Sequence, residues 1–345
     1  MKNNDIKQFI KNIPKAELHL HLEGTLEPEL MFKIAKRNNI VPKYKTVEDL
    51  KNAYMFSNLQ EFLDIYYEGA GVLVHQQDFF DMTWEYLQKV HKQNVIHVEV
   101  FFDPQTHTSR GVPFHNVITG IYDALKKGEE KLGVSFKLIM CFLRHLDEAS
   151  AFETLHESLP YKNLITAVGL DSSEKGNPPS KFKRVFKEAI KEGFLTVAHA
   201  GEEGPSDYVW DAIHSLHISR IDHGNQSLDD KKLVDFLISE QIPLTLCPLS
   251  NLKLKVVRNL IEHPLLKMLE MGMLVTVNSD DPAYFDGYIN ENLYEVCMAL
   301  QLNHEHITQL AINSILSCFL SEADKNYLIQ KIKDYASNFK KNPAS

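Results

Sequence analysis

The stretch AELHLHLEG, residues 16–24, places His19 and His21 one residue apart and follows them with Glu23 and Gly24. Imidazole nitrogens are good ligands for zinc and its neighbours in the first transition row. In an extended segment side chains alternate, so His19, His21 and Glu23 share one face while Leu18, Leu20 and Leu22 share the other. With 16 histidines in 345 residues, a single H-x-H pair arises readily by chance and decides nothing alone. Its weight comes from three other stretches. HAGEE (199–203), IDHG (221–224) and NSDDP (278–282) each put histidines or carboxylates at the end of an apolar run.

The elements that must position these residues recur along the chain. Eight β-branched or apolar runs occur, at 17–22, 95–102, 136–143, 164–170, 194–200, 218–224, 242–247 and 274–279. Between them lie amphipathic stretches such as PPSKFKRVFKEAIKEG and LDDKKLVDFLISEQ, with apolar residues three and four apart and Pro or Asp at their starts. Alternation of this kind builds a parallel sheet through helical crossovers. Eight such units predict an α/β fold, a TIM (β/α)8 barrel, as a single domain over residues 1–345. The interval between the first two runs is too long for one helix. It predicts a helical insertion after strand 1, over about 24–94, with one helix near 59–74, on the side where it can cover the pocket.

A TIM barrel carries its chemistry where the strands end. The polar residues gather at those ends, in HLHLEG, AHAGEE, IDHG and NSDDP. A barrel brings His19 and His21 from the first strand, His199 from the fifth and Asp280 from the eighth to one axis. Three neutral imidazoles and a carboxylate suit Zn²⁺ and leave a position for water, whose pKa the metal lowers towards neutrality. Barrel enzymes that hold two metals often use a carbamylated lysine at the end of strand four. Here that strand ends GLDSSE, without lysine, so one zinc per chain is expected.

Composition excludes several other classes. A net charge of −9, from 46 acidic and 37 basic residues, argues against nucleic acid as a partner. Cys141, Cys247, Cys297 and Cys318 form no C-x-x-C pair, which fits a reducing compartment. The first residues lack the apolar stretch of a signal peptide and no run of 18 apolar residues occurs, so a cytoplasmic protein without a membrane partner is expected. Nothing in the sequence indicates an oligomeric state.

HLHLEG, HAGE, IDHG and NSDDP, in this order and at these intervals, resemble the adenosine and adenine deaminase family of metal-dependent hydrolases over nearly the whole chain. The resemblance implies that His19, His21, His199 and Asp280 bind zinc. It further implies that Glu202 donates a proton, His223 orients or deprotonates the water, and Asp281 binds the purine. The roles make chemical sense. Attack at C6 of a 6-aminopurine loads electrons onto the ring, so N1 must gain a proton, and a carboxylic acid beside it can supply one. Asp280 and Asp281 both reach the pocket only if the chain turns, as Pro282 suggests. Glu203 reads as a solvated neighbour of Glu202.

Within that family VGLDSSE (168–174), LTLCPLSNLKL (244–254), VNSDDPAYF (277–285) and QDFFDMTWEYL (77–87) are closer to the adenine deaminase branch. The expected reaction is therefore hydrolytic deamination of adenine to hypoxanthine and ammonia, with a small-molecule purine as partner. The nucleoside branch often carries Asp where Glu23 stands and Gly-Asp-Glu around Ser173 and Glu174, and Asp286 stands where a glycine is expected. Adenosine deamination is the alternative. A non-catalytic metal-binding barrel is a third reading, disfavoured by the presence of Glu202 and His223.

Overall fold

A computed structural model of the chain describes residues 3–56 and 58–341. Eight strands, β1 (Lys15–Glu17), β2 (Val95–Phe102), β3 (Ser135–Leu143), β4 (Ala167–Asp171), β5 (Leu195–Ala200), β6 (Arg220–His223), β7 (Leu244–Leu246) and β8 (Val275–Val277), run in parallel in sequence order. Each expected run holds one of them or, for the first, lies just beyond it. The strands are near-continuous apolar runs because a parallel sheet in this fold is covered on both faces.

Alternation along each strand divides the interior from the outer layer. Val98, Val100 and Phe102 of β2 face the surrounding helices, while His97, Glu99 and Phe101 face the barrel axis. Phe101, Ile139, Cys141, Ala167 and Val197 form a small apolar plug inside. Beneath it the interior is ionic. Fully buried Arg220 donates from Nη1 to Glu99 Oε2 at 2.5 Å and from Nη2 to the Leu18 carbonyl at 3.1 Å. The guanidinium holds the Glu99 carboxyl below the usual range against the opposing effect of burial.

The first run departs from a regular strand. Paired structure ends at Glu17, and residues 18–22 thread between β2 and β8 with only isolated bridges at Leu20 and His21. The Asn278 side chain accepts from the Leu18 N–H at 2.9 Å, in place of a backbone partner. His21 N–H then donates to the Asp280 carbonyl (3.0 Å), and Asp280 N–H to the His19 carbonyl (3.1 Å). Those two bonds close the barrel and join two segments that carry candidate ligands.

Among the described residues four α-helices lie between β1 and β2: Pro28–Arg37, Val47–Ala53, Leu59–Ala70 and Gln76–Lys92. The last packs beside Phe114–Leu132 as part of the outer ring, and the first three are the insertion. Leu59–Ala70 starts where the Asn58 side chain accepts from the Glu61 N–H at 3.0 Å, and stops at Ala70, short of the expected Val74. Its Phe62, Leu63, Tyr66 and Tyr67 cover the mouth of the barrel. Among the described residues no helix is long and apolar enough to cross a membrane.

Candidate functional site

At the C-terminal rim His19, His21, His199 and Asp280 each present one ligand atom, all within 4.8 Å of one another, and all four are buried. His19 Nε2 lies 3.3 Å and His21 Nε2 3.5 Å from Asp280 Oδ1. The orientation is imposed from behind. His19 Nδ1 bonds Thr245 Oγ1 at 2.8 Å, leaving its Nε2 aimed inward without a hydrogen-bond partner. Phe101 packs against both His19 and His21, with ring centroids 5.0 Å apart in each case. His21 Nε2 and His199 Nε2 face each other at 3.2 Å. Burial keeps the His21 and His199 rings neutral, so their lone pairs repel unless a proton or a cation lies between them. Three imidazoles and a carboxylate converging on one point fit a divalent metal. His19, His223, Cys247 and Asp280 also converge, but burial holds the Cys247 thiol well above its ordinary value, which makes it the poorer ligand.

The two aspartates share the cavity by an unusual backbone. β8 ends at Val277, and Asp280 has φ +63°, so the turn is made at Asp280 itself rather than at Pro282 as expected from sequence. His223 likewise has φ +66°. Left-handed non-glycine residues cost of the order of 1 kcal/mol or more and persist where their surroundings over-determine them. The glycine of HLEG is explained by the same turn, because a Cβ on Gly24 would lie 2.7 Å from the Asp281 Cα. Asp281 is held well above the usual carboxylate range by burial and by the charge of Asp280.

Glu202 follows β5 after Gly201, at φ +71°, and turns into the cavity. Burial first, then the Asp280 charge, pushes its carboxyl well above the usual range. Its Oε2 is 3.7 Å from His223 Nε2, which lies 3.8 Å from Asp280 Oδ2. What fixes this loop was missed in the sequence. The buried carboxylate of Glu174 accepts the N–H groups of Gly201 (2.7 Å), Glu202 (3.0 Å), Glu203 (2.9 Å) and Gly204 (2.8 Å). Arg144, also buried, ties the His199 carbonyl (2.7 Å) to the Asn177 carbonyl (2.6 Å) and so binds β5 to the Glu174 loop. Glu174→Gln replaces two acceptor oxygens by one and sets an NH₂ against backbone donors. We expect kcat to fall by up to about a hundredfold through misplacement of Glu202 on the order of 1 Å, with metal content unchanged. Steady-state kinetics with elemental analysis checks this, and a turnover equal to the parent's contradicts it.

On the far wall Asp103 directly follows β2 and Asp171 ends β4, both 2 % exposed and both lining the cavity. Neither was singled out in the sequence. Glu23 does not line this cavity. Its Oε1 accepts from His107 Nε2 (2.9 Å) and the Asp103 N–H (3.2 Å). Asp286 has φ +63°, which accounts for the glycine expected there, and its exposed carboxylate pairs with Lys253 outside the cavity. Glu203 pairs with Lys175 at the rim, as a neighbour rather than a second acid.

The adenosine deaminase family profile matches residues 14–335. The chain belongs to the adenosine deaminase family. It is 57% identical over 323 residues to an adenine deaminase of Crocosphaera subtropica, covering 94% of this chain and 99% of that one. The crystal structure of adenine deaminase from Arthrobacter aurescens superposes with a TM-score of 0.93 at 47% identity, over 94% of this chain and 99% of that one. A Burkholderia ambifaria amidohydrolase solved with bound zinc shares the fold, with a TM-score of 0.88 at 22% identity over 99% and 95% of the two chains. The resemblance seen in HLHLEG, HAGE, IDHG and NSDDP is thus one of descent across the barrel, and the (β/α)8 expectation holds.

Proposed function

We propose that this chain is a metal-dependent aminohydrolase that converts adenine and water to hypoxanthine and ammonia. The observation that carries the proposal is the meeting of a buried three-histidine, one-aspartate cluster with two further buried acids, Glu202 and Asp281, in one cavity. The 57% identity to an adenine deaminase over nearly the full length supports adenine as the substrate. His19, His21, His199 and Asp280 would hold one Zn²⁺. The ion, when bound, supplies a water acidified towards neutrality.

The remaining steps belong to side chains. His223, kept neutral by burial and by the nearby His19, can accept the proton of the attacking water and hold it by a hydrogen bond. Glu202, its carboxyl pushed well above the usual range by burial, donates to N1 as electrons enter the ring. Asp281, likewise raised by burial and by the Asp280 charge, donates to N7. Phe62, Leu63, Leu254 and Phe285 line the cavity with apolar surface and limit water, which strengthens each of these interactions. Water adds at C6, the amino group leaves as ammonia after protonation, and the oxygen stays on the ring.

All eight strands contribute to one barrel, which supports treating residues 1–345 as one catalytic domain; of the insertion expected over about 24–94, the inserted helices end at Ala70 and Gln76–Lys92 belongs to the outer ring. Four buried, unpaired thiols support a reducing, cytoplasmic setting. Incubating zinc-loaded protein with adenine and following the ultraviolet spectrum and ammonia together tests the proposal. Equimolar hypoxanthine and ammonia are expected, and an unchanged adenine spectrum contradicts it.

A further inference from the structure

The cavity contains a pair of carboxyl groups that the deamination chemistry does not use. Asp103 and Asp171 each bring a carboxylate oxygen within 4.8 Å of the other. Asp103 Oδ2 accepts from the Tyr66 hydroxyl at 3.2 Å, and Asp171 Oδ2 faces His21 Nδ1 at 3.4 Å. Oδ1 of each is buried without a hydrogen-bond partner among the described residues. A buried acceptor left unpaired is costly, and one that borders a cavity points to a donor brought by the ligand.

Adenine has such a donor in the right place. With C6 at the metal cluster, N1 at Glu202 and N7 at Asp281, the polar edge still unassigned is N3 and N9. Free adenine carries a hydrogen on N9, whereas every nucleoside or nucleotide carries a glycosidic carbon there. The wall beside Asp171 is held by hydrogen bonds, because Ser172, at φ +73°, bonds Tyr67 through its hydroxyl (2.9 Å) and His145 Nδ1 (2.8 Å). A sugar on N9 would have to displace these groups and leave the carboxyl oxygens unpaired.

We infer that the Asp103–Asp171 pair is the specificity element of the site, one of its free Oδ1 atoms accepting the N9–H of the free base. This rests on the adenine reading given above. A cation held by His21, Asp103 and Asp171 is the competing use of the same atoms, since these three also converge. It would require the His21 ring to bridge two ions through both nitrogens, with Nδ1 already directed at Asp171.

Adenine and 9-methyladenine, which differ only at this hydrogen, separate the possibilities. For the zinc-loaded parent, kcat/KM for 9-methyladenine is expected to be about ten-thousandfold below that for adenine, as when a site built around an N–H meets an analogue without it. In Asp103→Asn and Asp171→Asn the adenine value should fall about ten- to a hundredfold. The adenine to 9-methyladenine ratio should shrink with it, while metal content stays at one per chain. Parent protein that deaminates both purines equally well overturns the inference and leaves the adenine reading standing. Variants that lower both substrates in the same proportion overturn it in favour of a role in positioning His21. Loss of a second metal ion from either variant overturns it in favour of a cation site. No deamination of adenine by the parent defeats the adenine reading itself.

Discussion

Glu202→Gln is expected to keep the metal and the fold and to lose about a hundred- to ten-thousandfold in turnover, the usual worth of a positioned general acid. Gln preserves the shape of the side chain but has no proton to deliver to N1. The loop itself stays in place, because Glu174 holds it through the N–H groups of residues 201–204, which the substitution leaves untouched. Burial and the Asp280 charge raise the native carboxyl well above the usual range and favour its acid form, so the loss should appear in kcat more than in KM. Steady-state kinetics on variant protein whose zinc content matches the parent checks this. Turnover close to the parent's removes Glu202 from the role.

His199→Ala is expected to lose metal and activity together. The substitution removes one of four converging ligands and opens the face-to-face contact with His21 Nε2. The strand should survive, since Arg144 anchors the backbone carbonyl of residue 199 rather than its ring. The barrel closes through the His19, His21 and Asp280 backbones, which do not depend on the metal. Metal affinity is coupled to the ligand count and to deprotonated ligands, so chelator-washed variant should retain little zinc at any pH where the fold is intact. Elemental analysis of the washed parent should find one ion per chain. Two ions per chain, or full activity with none, contradict the assignment of the four ligands.

Most of the barrel was legible because its signal is local. An apolar run followed by an amphipathic stretch, repeated eight times, needs no long-range information. The candidate ligands were legible because the fold makes strand ends special, and His19, His21, His199 and Asp280 lie at or just beyond such ends. Asp103 and Asp171 satisfy the same rule, ending the runs VIHVEVFF and AVGL, and were passed over because a carboxylate after an apolar run also reads as an ordinary helix cap. Glu174 was beyond reach for a different reason. Its partners are backbone N–H groups 27–30 residues away, and a backbone donor leaves no trace in residue type. The irregular first strand and the left-handed Asp280 arise from tertiary hydrogen bonds among β1, β2 and β8, which strand propensity does not contain.

The central claim is that the site is built for the free base. Selectivity of this kind comes cheaply when a filled wall meets an added group, whereas a pocket shaped for a nucleoside seldom rejects the smaller base. The most direct measurement is kcat/KM of the zinc-loaded protein on adenine and on adenosine, side by side in one ultraviolet assay. A value for adenine far above that for adenosine is predicted. Adenosine as the better substrate would contradict the claim.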